Sequence, residues 1–308
     1  MKKLVLILVL VFASLAQARE VLDVVFVFDR TSLSLSSAKR NNLANEYIKK
    51  LNISFKNSTV SDRRALSDYI YFRKKAVLYR PVSRKGEGML ATINRYMRNM
   101  TDKTNPKPKL SLHYVQKYYK ADIVIAIMND PNEKKYAAVS LGTPEKSDRL
   151  GKRNTNFLSY GDLGISIYNY KEISKQKEIF AHEIGHGFGL YHGKAVARKY
   201  KNESGHYEPR NALKPYANGF GDTDYWRNYG TLMAGRYLTG VEKAIENKFS
   251  NPDIYECGYY GDDEVCGDST ANAVKFIKDN ARYFNKRGNW YDWLKMSQEV
   301  ILLGFFYK

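Results

Sequence analysis

The chain has 308 residues, 44% of them hydrophobic and 14% aromatic, which is enough to fill one large core or two small ones, and it holds no repeat or low-complexity tract. Its formal charge of +18 is uneven, because residues 21 to 120 carry 21 Lys and Arg against 7 Asp and Glu, a difference of +14. Such a field can draw an anionic surface or polyanion to the basic N-terminal half, but no nucleic-acid motif accompanies it, so specific nucleic-acid recognition is not expected.

In chain order, Lys2 and Lys3 precede an apolar run from Leu4 to Leu15 and then Ala16-Gln17-Ala18, the order of a cleaved secretory signal. The run falls short of the ~20 residues that span a bilayer, and no later segment reaches that length. Residues 1–18 are therefore expected to be removed and residues 19–308 to form a single domain, secreted or periplasmic, with no transmembrane segment.

Val21 to Asp29 (VLDVVFVFD) is a β-branched apolar run that predicts a buried strand. Leu43, Tyr47 and Leu51 then repeat at helical spacing, with Ser36 or Ser37 as a start signal. Ala76 to Val82 predicts a second strand, Met89 to Met100 a helix, and Thr101 to Lys109, with two prolines, an exposed loop. His113 to Tyr119 predicts a short helix leading into a third buried strand, Ala121 to Met128. Two shorter strands follow at Tyr136 to Leu141 and Gly164 to Tyr168, then a helix from about Ser174 to Gly189. Residues 193–230 show weak periodicity and read as mostly loop, Asn272 to Asn285 reads as a helix, and the apolar run at 300–306 as a packed strand. Strands alternating with helices place the chain in the α/β (α+β) class, with a twisted mixed sheet. Cys257 and Cys266 are the only cysteines and are expected to form a disulfide closing a short loop.

The stretch HEIGHGFGLYH, residues 182–192, holds three of the five histidines. On a helix His182 and His186 lie one turn apart on one face and can aim two imidazoles at one point. Gly189 can end the helix, since glycine adopts positive φ cheaply, and the reversed chain can bring His192 to the same point. Three neutral imidazoles suit Zn²⁺ and leave one position for a water, whose pKa the metal lowers to about 7. Glu183, rotated about 100° from His182, is placed to reach that water rather than the metal. It can take the water's proton during attack on a carbonyl and pass it to a leaving amine. The frame HExxHxxGxxH arises by chance in such a composition with a probability on the order of 10⁻⁵ or less.

HEIGHGFGLYH resembles the zinc-binding consensus of the metzincin metallopeptidases, and Thr231-Leu-Met-Ala-Gly235 resembles their Met-turn, with Met233 as the methionine beneath the metal. Phe249 to Asp253 and Asp279 to Arg282 are similar to segments that follow the Met-turn in reprolysin-like and bacterial peptidyl-Asp metallopeptidases. Gly193 stands where reprolysin-like members commonly carry aspartate. The resemblance implies an upper subdomain of about residues 21–192, with the twisted sheet and active-site helix, and a smaller irregular lower subdomain of about residues 193–308. It also implies that an edge strand, here Tyr136 to Leu141, pairs with an extended protein or peptide substrate. The expected activity is that of an exported zinc endopeptidase with one catalytic ion on His182, His186 and His192, Glu183 as the base and Met233 in a structural role. Two other readings stay open: a basic polyanion-binding protein with a structural zinc site, and a zinc amidase acting on a non-peptide bond.

Overall fold

The computed structural model describes residues 19–60, 64–89, 91–92, 95–96, 112–132, 137–140, 164–173, 178–190, 192–193, 216–217, 219–222, 229–234, 247–257 and 265–284. The expected signal at 1–18, the loop at 101–109 and the strand at 300–306 lie outside these residues.

Strand β1, Glu20–Asp29, is buried from Leu22 to Phe28 and beyond, because its side chains alternate into two separate cores. Leu22, Val24, Phe26 and Phe28 enter one core, and Val25 and Val27 enter the other. Burial on both faces is what a parallel strand covered by helices requires, and each such side chain contributes about 1.5–3 kcal/mol. Helix α1, Ser37–Asn57, covers the first face with Ala44, Tyr47, Leu51 and Phe55. Ser36 caps its start by accepting from the Lys39 N–H at 3.2 Å, as one of the two expected serines.

Strand β2, Ile70–Arg80, starts earlier than the predicted Ala76 and ends before Val82. Buried Ile70 and Phe72 alternate with exposed Tyr71 and Arg73, but the basic run Arg73-Lys74-Lys75 hides that alternation in the sequence. A bulge at Lys75 shifts the register, so Val24 pairs with Lys74 and Val25 with Ala76. The Lys75 ammonium turns to the Asp23 carboxylate at 2.7 Å, and Arg73 Nε reaches the other oxygen of Asp23 at 2.8 Å. Basic residues and a bulge on an edge strand discourage pairing with another chain.

Met89, Ala91, Thr92, Arg95 and Tyr96 are the described, helical part of the helix expected over Met89 to Met100. Helix α2, Leu112–Tyr119, and strand β3, Ile123–Met128, fall where the sequence predicts them. Strands β4, Ala138–Ser140, and β5, Ile165–Asn169, complete a five-stranded sheet in the order β2-β1-β3-β5-β4. Among the described residues, four strands run parallel and β4 alone is antiparallel, on β5 at the edge of the described sheet. The chain is thus a mixed α/β fold with helices on both sheet faces.

A short helix α3, Tyr170–Ile173, follows β5, and helix α4, Ile179–Gly187, carries the histidine motif. It is shorter than the predicted span from Ser174 to Gly189: Glu178 stands in a turn, 174–177 lie outside the described residues, and the helix has ended before Gly189. Phe180 locks α4 to the sheet and to α1 by stacking between Tyr168, at 4.5 Å, and Tyr47, at 4.4 Å. Such ring pairs add about 0.5–1.5 kcal/mol each beyond their burial.

Part of the region expected to be mostly loop forms a two-stranded ribbon, β6, Gly221–Asp222, with β7, Tyr229–Gly230. Strands of two residues carry too little alternation to be seen in sequence. Helix α5, Ala273–Phe284, matches its prediction and packs Val274, Ile277, Ala281 and Phe284 into the same core as β1 and α4. Phe284 stacks on Phe188 at 4.0 Å, so described residues on both sides of His192 share one apolar cluster. Cys257 and Cys266 form the expected disulfide, with Phe220 and Ile254 against it. Among the described residues no helix is long and apolar enough to cross a membrane.

Candidate metal centre

Phe180, Ala181 and Ile184 face the core, and at about 100° per residue this turns His182 and His186 to the opposite side of α4. The helix then closes in a Schellman motif. The Gly189 N–H donates to the His186 carbonyl at 2.8 Å and the Leu190 N–H to the Gly185 carbonyl at 2.9 Å, with Gly189 at φ 92°. Positive φ is the conformation expected of this glycine, and the reversal returns His192 to the helix.

The three Nε2 atoms form an equilateral triangle, each 3.1 Å from the other two. The other ring nitrogens explain why they converge. His182 Nδ1 lies 2.6 Å from the Leu232 carbonyl and His186 Nδ1 lies 2.9 Å from the Leu190 carbonyl. A carbonyl can only accept, so each Nδ1 carries the proton and each facing Nε2 is a bare lone pair. Burial above all, and then His192, pushes the His182 imidazole down to about 3. Burial, with His192 and His182 beside it, also holds His186 well below the usual histidine range. Lone pairs that close repel unless a cation lies between them.

Ligands about 2.0–2.1 Å from a tetrahedral ion stand about 3.3–3.4 Å apart, so the 3.1 Å triangle fits a single bound metal ion and leaves one side open. Three imidazoles suit zinc and several other transition ions. The ring protons held by Leu232 and Leu190 are the outer partners that fix ligand orientation.

Glu183 is buried on the flank of α4 between the histidine face and β4. Burial raises its carboxyl to about 8, although the Ser140 main-chain N–H donates to it and acts in the opposite sense. A nearby dication would favour the ionised form and pull that value down. Tyr168, wholly buried on β5, accepts from the Ser166 hydroxyl at 3.2 Å and lies close enough to feel the Glu183 charge.

Met233 occupies a tight turn closed by the Ala234 N–H on the Thr231 carbonyl at 2.8 Å, and is fully buried. The turn holds the histidine site twice. Leu232 orients His182, and the Met233 carbonyl accepts from the Gly193 N–H at 3.1 Å. Its sulfur rests on Gly185, where a β-carbon would come within 2.5 Å of it, and its backbone on Gly219, where a β-carbon would meet the Met233 carbonyl carbon at 2.2 Å. The structure therefore brings His182, His186 and His192 together, sets Glu183 on the next flank and seats Met233 against the same helix. Leu190, Leu232, Ser140 and Gly219 escape sequence reading, because a main-chain donor or carbonyl and a close backbone approach leave no mark on residue type or period.

No family model matches the chain, and no curated protein matches it by sequence. Among solved structures, one chain from a structure of a chaperone-substrate complex is similar in fold, with a TM-score of 0.54 and 16% identity. The match covers 87% of this chain and 35% of that one, so this chain spans about a third of the length of that neighbour.

Proposed function

We propose that the protein is an exported zinc endopeptidase of the metzincin kind. The observation that carries this reading is the closed Nε2 triangle of His182, His186 and His192 with the buried Glu183 carboxylate on the adjoining flank of one helix. A zinc ion on the three imidazoles would acidify a water and polarise a carbonyl. With such an ion bound, Glu183 would take one proton from the attacking water onto a carboxylate oxygen and give it to the departing nitrogen as the carbon–nitrogen bond breaks. Beside a bound dication the Glu183 carboxyl would be ionised and so able to accept that proton.

Strand β4 lies at the sheet edge against α4, which suits it to pair with an extended peptide by adding a strand. Met233 and the turn around it serve as the floor that keeps His182 and Gly193 in place. The basic residues of the N-terminal half are a secondary attraction for an anionic surface or polyanion and take no part in the chemistry.

The test is direct. Mature protein loaded with zinc should cleave a protein substrate or peptide library, lose that activity to a chelator, and regain it with zinc. Glu183→Ala should keep the metal and lose activity by about 10²–10⁴-fold. Full activity in that variant would overturn the mechanism, and salt-sensitive retention on a polyanion without any proteolysis would favour the binding protein instead.

A further inference from the structure

Glu183 is buried but not isolated. At about 100° per residue, Glu183 and Gly187 share one flank of α4, and that flank meets the sheet edge. A β-carbon on Gly187 would lie at contact distance from Ser140 Oγ, 3.8 Å, and from Gly164 Cα, 3.7 Å, so this flank of the helix lies directly on β4 and the start of β5. At this crossing the Ser140 main-chain N–H donates to the Glu183 carboxylate.

The register of β4 makes this N–H unusual. The Asn169 N–H donates to the Ala137 carbonyl at 2.8 Å, and Ala138, Val139 and Ser140 pair in order with Tyr168, Ile167 and Ser166. In an antiparallel ladder the hydrogen-bonded pairs alternate. Ala137 and Val139 therefore face β5, and the main-chain groups of Ala138 and Ser140 face away from it. Ser140 spends its outward N–H on Glu183.

We propose that the Ser140 main-chain N–H is the positioning group for Glu183, so that the edge strand offered to substrate also fixes where the base sits. The inference rests on Glu183 being that base. A carboxylate offers about four acceptor directions, so one N–H anchors it without using up its capacity for a proton. A consequence follows for substrate. A peptide laid along β4 can pair with Ala138, but it finds the next outward N–H, two residues and about 6.6–6.8 Å along, already committed to the base. The paired stretch thus stops at the reacting centre, which sets one register for the substrate.

Two measurements on the full chain test this. In the first, amide proton shifts and exchange rates are read for Ser140 and Ala138 in wild type and in Glu183→Ala. The Ser140 amide should be shifted downfield and protected in wild type, and should move upfield and exchange at least about tenfold faster in the variant, while Ala138 changes little. A Ser140 amide indifferent to loss of Glu183 overturns the proposal, whether or not the protein cleaves peptides.

The second measurement is kinetic. Ser140→Pro removes the N–H at an outward position of an edge strand, where proline is tolerated, and should cut kcat by at least about tenfold with KM within about twofold and zinc content unchanged. Ser140→Ala, which retains the N–H, should keep kcat well above that of Ser140→Pro. Wild-type turnover in Ser140→Pro would also overturn the proposal. A wild-type protein that binds zinc but cleaves nothing would instead refute the peptidase reading and leave the amide measurement to decide the contact.

Discussion

The sulfur of Met233 sits 2.5 Å from the point where a β-carbon on Gly185 would stand. Phe249 and Leu190 would meet the same carbon at 3.1 and 3.4 Å, so the middle of the histidine helix has a glycine because three side chains close over it.

Three glycine-to-alanine changes should therefore rank in a fixed order. Gly219→Ala presses on Met233 backbone atoms at 2.2 and 2.3 Å, which cannot swing aside, and should cost the most, at least about 3 kcal/mol. Gly185→Ala meets a flexible thioether first and should cost about 1–3 kcal/mol, less what helix propensity returns. Gly187→Ala finds nothing nearer than 3.7 Å and should be neutral or stabilise by up to about 1 kcal/mol. Denaturant midpoints measure the series, and a Gly219→Ala protein as stable as wild type would contradict the packing described.

Zinc should stabilise the folded protein, because only the fold assembles His182, His186 and His192. At about a hundred times its dissociation constant the ion should add about 2.7 kcal/mol, seen as a rise in Tm that a chelator reverses. Replacing any one of the three histidines with alanine should abolish most of that rise. Glu183→Ala should keep it, since the three-histidine cluster does not include this carboxylate and its proposed role is proton transfer.

Acid should weaken the tie between β1 and β2. Burial pushes Asp23 up, but hydrogen bonds from Arg73 and Lys75, with their charges, outweigh it and leave its carboxyl below the ordinary value of 3.8. The folded state thus holds this proton less tightly than the unfolded chain. The stabilisation is complete above the unfolded value and is lost as pH falls through the folded one. Arg73 is largely exposed, so the effect is screened by solvent and should be small. Asp23→Asn should flatten the stability profile below about pH 4 and leave it unchanged in slope near neutrality.

Reducing Cys257–Cys266, or replacing both with serine, should lower stability by about 2.5 kcal/mol, the entropy of reopening a loop of this size. The pair lies in its own small cluster with Phe220 and Ile254 and supplies no ligand to the histidine triangle. Zinc affinity should consequently survive reduction, as a titration at fixed reductant would reveal.

How far the site was legible in the sequence varies residue by residue. His182 and His186 are one turn apart, Gly189 takes the positive φ that a chain reversal needs, and His192 follows at once. All of that is local, fixed by helical geometry and the conformational freedom of one glycine, and so it is written in the spacing. The same holds for β1, β3, α1 and α5, whose apolar periods match the faces they bury. Where short-range pattern failed, a specific feature had obscured it: a basic run over the first half of β2, and strands of two residues in β6 and β7.

The groups that make the site a site come from farther away. Leu232 fixes the tautomer of His182 from 50 positions along the chain, Gly219 makes room for the Met233 backbone, and Ser140 holds Glu183 from another layer of the fold. Each acts through its main chain or through the absence of a side chain. Such contacts depend on how strands, turns and helices stack, and no residue type or period encodes them. Sequence alone determined which groups can carry the chemistry, and only packing decided how they are aimed.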